Sequence, residues 1–342
     1  MKAARFVGSR KVAIETVPTP VPGPGEVLLK VDYCGLCGSE RPQYEEGYHQ
    51  HQGHEIVATV VEGGSGVKVE PGRKAAIYLT RFCGKCEMCS RGLSTACAAY
   101  VNKDNIGWGW PGGFAEYVVA PEQNLMYLDP RLTPSMGVLL LDTLGTPFHG
   151  LRRVDAKSAR SAYVGGCGAV GLGTICVLKS LGVPVVYAVD KGGFRLEEAE
   201  ALGAIPIDMT QTDPVEYVNA QGGVDVAVEA AGVPASLTNC LSVVKFGGRV
   251  LGLGEQPDSF KLTVDLAARL KDFSVHRTWY FPISEFEENQ RLAVGGFFRG
   301  AERLMSGVYA LDDMQQAADA FYSGQAVKVL VTPDKGLIRP TR

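Results

Sequence analysis

The sequence predicts an α/β chain of two domains, one β-rich and one built on a doubly wound parallel sheet. Three observations predict it. Short runs rich in valine, isoleucine and tyrosine crowd the first third, separated by turn punctuation. From about residue 150, apolar strands alternate with helical patterns, which is the pattern of βαβ units on a parallel sheet. The length, 342 residues, is more than a single domain commonly takes. Hydrophobic residues make up 46% and charged residues 21%, so a sizeable core forms and global disorder is excluded.

The elements follow in order. VLLKVDYCG, EIVATVVEG, KAAIYL and FAEYVVA read as strands of an all-β or partly open barrel-like domain, with PTPVPGPGE and EPGRK marking turns. SAYVGGCG is an apolar strand ending in glycines. AVGLGTICVLKSLG has helical periodicity, with Val170, Ile175, Leu178 and Leu181 as candidate core positions. VPVVYAVD is a strand and RLEEAEALGA a charged amphipathic helix ending in glycine. GVDVAVEAAG and GGRVLGLGE are further strands. The last segment holds an acidic helix, DDMQQAADAFYSG, and a strand, VKVLVTP. It either finishes the second domain or returns to the first.

Charge and cysteines narrow the function. The balance of 34 basic against 37 acidic residues argues against neutralising nucleic-acid phosphates and against a polybasic membrane anchor. MKAARFVGSRKVAIETV alternates charged and apolar residues, unlike a signal peptide, and no run of about 18 apolar residues exists to span a bilayer. Nine cysteines, an odd number without a secretion signal, suit the reducing cytosol, where thiols are metal ligands or core residues.

CGKCEMCSRGLSTAC places Cys83, Cys86, Cys89 and Cys97 at C-x2-C-x2-C-x7-C. Four thiolates at such spacing suit tetrahedral zinc, and a closed four-thiolate shell is structural. An iron–sulfur cluster also takes four cysteines, but the last gap differs and no proline follows the fourth. Elsewhere, Cys37 is followed by Ser39, His54 and Glu55 lie in HQGHEIV, and Asp142 lies in LLLDTLGTPFHG. One thiolate, one imidazole and one carboxylate leave an open zinc position for water or a substrate oxygen. From chemistry alone, His54 is equally an ordinary buried histidine. His49 and His51 are rival ligands by proximity and are read here as loop residues.

Gly166-Cys167-Gly168-Ala169-Val170-Gly171 is G-x-G-x-x-G in its required setting, after a strand and opening a helix. Its glycines permit a tight turn and close approach to a pyrophosphate at the helix N-terminus. The next strand ends in Asp190, whose carboxylate suits ribose hydroxyls and repels a 2′-phosphate. NAD is therefore favoured over NADP, with Lys191 and Arg195 keeping the alternative open.

In this order, Cys37-Gly38-Ser39, Gly53-His54-Glu55 and the four-cysteine lobe resemble the zinc-containing medium-chain dehydrogenase/reductases. The resemblance runs over nearly the whole chain and is closest to the sorbitol (polyol) and threonine dehydrogenase-like branch. It implies a GroES-like catalytic domain at 1–148 and 284–342, interrupted by a Rossmann-like cofactor domain at 149–283. It points to Cys37 and not Cys34 as a catalytic-zinc ligand, to His54 as another, and to Glu55 bound directly or through water. Where the branch often takes a ligand from a Glu-Pro stretch, this chain has Asp142-Thr143. Other departures are Ala58 for a glycine, Arg73-Lys74 in the stretch usually written PGDRV, and Glu40 for an aspartate. The resemblance adds cofactor contacts at Ala231 and Gly232, at Gly252 and Leu253, and near residues 276–280.

The expected activity is zinc-dependent hydride transfer between a secondary alcohol, polyol or sugar-derived, and NAD. One zinc is catalytic and one structural, and Ser39 passes the proton outward. A threonine-like amino alcohol and a simple alcohol or ketone are alternative substrates. An NAD(P)H-binding sensor without turnover and a zinc-lobe docking module are the competing classes. The partner is a small-molecule alcohol or ketone, without nucleic acid or membrane, in a cytoplasmic homodimer or homotetramer.

Overall fold

The computed structural model describes residues 1–99, 105–255 and 271–338. The chain forms two compact units: Met1–Leu141 with Pro282–Gly295 and Met305–Arg342, and Asp142–Phe281 with Gly296–Leu304.

The first unit is organised around the ten-residue strand Glu26–Gly35. Glu55–Gly63 pairs antiparallel along one edge of it. On the other edge Tyr117–Pro121 pairs with its first half, and the final strand Lys328–Thr332 pairs with its end at Cys34 and Gly35. Lys74–Ile77 and Leu125–Tyr127 extend the sheet on one side, and Met305–Ala310 on the other. The core gathers Leu29, Val31, Ile56, Ala58, Ile77, Phe6 and Phe114. Helix Met314–Tyr322 joins that core through Met314, Ala317, Ala318, Phe321 and Tyr322, an i, i+3, i+4, i+7, i+8 stripe. The last helix and strand thus return to the first unit, and they end beside the segment carrying Cys37.

The second unit is a six-stranded, all-parallel sheet. From one edge the strands are Ile205–Asp208, Val185–Asp190, Ser161–Gly165, Val224–Glu229, Val244–Gly252 and Ser274–Arg277. In chain order this is 3-2-1-4-5-6, the doubly wound order whose ligands bind at the carboxyl ends beside the switch between the first and fourth strands. Helix Ala169–Ser180 is buried continuously from Gly171 to Leu178 instead of along one stripe. Ile175 and Leu178 are therefore core residues, while Val170 and Leu181, at its ends, are half-buried.

The units divide at 141/142 and 281/282, where the sequence expectation placed 148/149 and 283/284. Helix Gly145–Arg153 packs on Ala169–Ser180, and the Phe148 ring meets Phe297 and Phe298, each at 5.8 Å. Those contacts draw residues 142–148 and 296–304 into the second unit.

Candidate active site and metal centres

Cys37 follows the end of strand Glu26–Gly35 and caps a short turn, Gly38–Glu40. A Cβ on Gly35 would lie 2.8 Å from Glu55 Oε2, so only glycine lets Glu55 come this close. The Cys37 N–H donates to Glu40 Oε2 at 3.2 Å, and Ser39 Oγ donates to Cys37 Sγ at 3.2 Å. His54 is placed by Gly53, which has φ +97 and whose Cβ would lie 2.6 Å from Cys34 Sγ. His54 Nδ1–H donates to the buried Glu40 Oε1 at 2.9 Å, and the Trp108 ring stacks on the imidazole at 4.3 Å. With Nδ1 engaged by Glu40, Nε2 is the nitrogen left for a metal, which would take the place of its proton. Burial opposes a charged His54, but Glu40 and Cys37 outweigh it and hold the metal-free imidazole well above its ordinary range.

Glu55 opens the strand Glu55–Gly63. Lys328 Nζ donates to its Oε1 and Oε2 at 2.6 and 2.7 Å, and to Leu36 O at 3.0 Å. Both side chains are 1% exposed, so this is a buried ion pair in which all three ammonium protons have acceptors. Cys37, His54 and Glu55 each offer a ligand atom within 4.8 Å of the others. That group of thiolate, imidazole and carboxylate suits zinc. His49 and His51 stand outside it: His49 lies against the Tyr48 ring at 4.4 Å, and burial lowers the His51 pKa against the pull of Glu15. Asp142 opens the second unit, and its Oδ1 accepts from Thr146 Oγ1 at 2.6 Å.

The four cysteines of the lobe meet around helix Glu87–Ser90 and the turn Ser94–Ala96, with one ligand atom each within 4.8 Å. Cys86 Sγ lies 3.5 Å from Cys89 Sγ and 3.9 Å from Cys97 Sγ. A zinc tetrahedron with bonds of about 2.3 Å has sulfur–sulfur edges of about 3.8 Å, so the spacing fits. Backbone amides of Cys89 and Ala98 lower the Cys86 thiol to about 6, favouring thiolate, whereas burial raises Cys89 to about 12. These free thiols suit a metal whose charge stabilises four thiolates together.

In the second unit, Gly166 takes φ +96, and its Cβ would lie 2.8 Å from Ala231. A Cβ on Gly171 would lie 1.8 Å from Gly166 O, whereas at Gly168 a Cβ would meet nothing. Two glycines therefore close the turn and one faces open space at the N-cap of helix Ala169–Ser180, where a pyrophosphate fits. Asp190 Oδ2 accepts from Cys167 N at 2.8 Å, and Oδ1 from Lys191 N at 2.7 Å. The carboxylate is thus fixed beside the glycine turn. Arg195 stands in the first turn of helix Phe194–Ala201, its buried Nε without a hydrogen-bond partner among the described residues. Across the switch point, the buried Glu229 accepts from Ala231 N and Gly232 N, each at 2.8 Å, and shapes that loop. Gly252 ends the fifth strand, Leu253 N donates to Glu229 O, and Thr278 N donates to Gly252 O. The predicted cofactor residues therefore gather at the carboxyl ends of the strands.

Residues 23–130 match the family model "Alcohol dehydrogenase GroES-like domain" and residues 169–294 match "Zinc-binding dehydrogenase". The chain belongs to the zinc-binding dehydrogenases. This zinc-binding dehydrogenase is 34% identical to an L-threonine 3-dehydrogenase of Pyrococcus horikoshii, covering 78% of this chain and 77% of that one. It is 27% identical to the sorbitol dehydrogenase of Bacillus subtilis, covering 98% of each. Among solved structures, the alcohol dehydrogenase TADH from Thermus sp. ATN1 superposes with a TM-score of 0.88 at 30% identity, covering 97% of this chain and 99% of that one.

The dehydrogenase has site residues that local motifs did not reveal. Glu40 was visible only as a departure from aspartate, yet it holds both His54 and the Cys37 amide. Lys328 had one signal, a lone cation inside the apolar run VKVLV, which calls for a buried partner. Glu229 and Trp108 had none.

Proposed function

We propose that this enzyme oxidises a secondary alcohol, polyol or sugar-derived, with NAD as hydride acceptor. The carrying observation is the group of Cys37, His54 and Glu55 ligand atoms, with His54 oriented by Glu40. Cys37 and His54 hold the catalytic zinc, with Asp142 as a further ligand, directly or through water. Zinc bound there supplies Lewis acidity that lowers the pKa of an alcohol. Glu55, paired with Lys328, sets the charge beside the metal and is available as a ligand when that pair opens. Ser39 Oγ, 3.2 Å from the Cys37 sulfur, takes the alcohol proton and hands it outward. Cys83, Cys86, Cys89 and Cys97 hold the structural zinc.

Gly166, Gly168, Ala169, Val170 and Gly171 carry the cofactor's pyrophosphate. Asp190 takes the adenosine ribose and selects NAD over NADP, Arg195 flanks it, and Ala231, Gly252 and Leu253 line the nicotinamide side. The relatives are named for threonine and sorbitol, compounds that both carry secondary hydroxyls, which supports that substrate class. A polyol is proposed on the resemblance to the sorbitol branch and not on the loop after Cys37, whose Glu40, Arg41 and Tyr44 are already engaged by His54, Tyr322 and Asp319. The setting is cytoplasmic, in keeping with nine free cysteines. Among the described residues no helix is long and apolar enough to cross a membrane. A homodimer or homotetramer is expected, since Phe246, Val275 and Trp279 are exposed on or beside the last two strands of the parallel sheet.

A screen of polyols, sugars and amino alcohols with NAD and NADP, followed by reduced-nicotinamide absorbance, tests the reading. It predicts turnover of a vicinal diol or sugar alcohol, at least about tenfold faster with NAD than NADP, the scale of one well-placed charged hydrogen bond. Turnover of threonine alone would move the assignment to amino alcohols, and NAD binding without any turnover would contradict it.

A further inference from the structure

Cys37 is gripped by a residue from near the end of the chain, and we infer that Tyr322 is a positioning residue for the Cys37 thiolate. The inference rests on the reading of Cys37 as a metal ligand. Tyr322 Oη donates to Cys37 O at 3.2 Å, and Glu40 N donates to the same oxygen at 3.3 Å. Three atoms of Cys37 are thereby held: the amide by Glu40 Oε2, the carbonyl by Tyr322 and the sulfur by Ser39.

The phenol is itself fixed. Its ring is buried at the end of helix Met314–Tyr322 and stacks on Tyr44 at 4.7 Å and 22°. Phe321 and Phe6 meet it edge-on at 5.1 and 6.2 Å. Arg41 lies over the ring at 5.3 Å and donates from Nη2 to Tyr322 O at 2.9 Å. The hydroxyl therefore has one aim, and it bolts the turn carrying Ser39 and Glu40 to the C-terminal helix. Without it the Cys37 carbonyl keeps the Glu40 N–H but loses its tie to the C-terminal helix, and the thiolate is held less firmly in direction.

Tyr44 supplies the control. Its hydroxyl bonds Asp319 and Gln315 in the same aromatic cluster but does not touch Cys37. The test uses the full chain with cobalt(II) in place of zinc. The difference between the wild-type spectrum and that of Cys37→Ser isolates the Cys37 thiolate-to-cobalt absorption. Tyr322→Phe is expected to shift that absorption and to release the metal to a chelator about tenfold faster. It should also lower kcat of the zinc enzyme while leaving KM for NAD unchanged. Tyr44→Phe should keep the absorption and the release rate, whatever it does to stability. An unaltered spectrum and release rate in Tyr322→Phe overturn the inference, as does an equal change in Tyr44→Phe, which would mean general loosening. If Cys37→Ser gives the wild-type spectrum, the reading of Cys37 fails first and the inference falls with it.

Discussion

Replacing Cys37 by serine is expected to remove one zinc of two per chain and to abolish turnover, while the fold and the lobe zinc remain. The thiolate is the softest and most strongly binding donor of its group, and a serine hydroxyl stays protonated at neutral pH. Cys37 is buried, but serine is close in volume and leaves no large cavity. The hydrogen bonds to the backbone of position 37 also survive, since Glu40 and Tyr322 grip its amide and carbonyl. The loss should therefore fall on metal and chemistry, by about three orders of magnitude or more in kcat/KM, in line with losing several kcal/mol of charge stabilisation at the reacting oxygen. Metal analysis by mass spectrometry and a thermal melt separate this outcome from unfolding. A variant that keeps both zincs and its turnover would remove Cys37 from the site.

The second large effect is expected at Lys328. Methionine there matches the length of the lysine stem but leaves the Glu55 carboxylate buried without its counterion. Removing one partner of a buried pair costs about 3–5 kcal/mol, because an uncompensated charge stays out of water. Chemical unfolding of Lys328→Met should show that loss. The pair Lys328→Met with Glu55→Gln should recover much of it, since a neutral amide is cheaper to bury than a lone carboxylate. The lysine also holds Leu36 O, one residue before Cys37. Equal stability of wild type and Lys328→Met would show that the pair contributes nothing.

What could be read in the sequence was what local patterns encode. The four-cysteine lobe was legible because its ligands fall within fifteen residues and their spacing is the geometry. The cofactor turn was legible because strand, glycines, helix and Asp190 follow one another in a single βαβ unit. Cys37 and His54 could be picked out only through the resemblance, since a lone thiol and a lone imidazole carry no spacing. The supporting residues were beyond reach for a physical reason. Glu55 and Lys328 are 273 positions apart, and Cys37 and Tyr322 are 285 apart. They meet only because the last strand pairs with the end of strand Glu26–Gly35. The segment 142–148 shows the same limit, because its helix turns to the second unit through aromatic packing that no local signal announces.

The central claim, metal-dependent alcohol oxidation at Cys37 and His54, is tested most directly by NAD reduction before and after selective removal of the catalytic zinc. A mild chelator that leaves the lobe zinc in place should abolish reduction with any alcohol the enzyme accepts. One added equivalent of zinc should restore it. Undiminished NAD reduction by a chain shown to have lost that zinc would contradict the account.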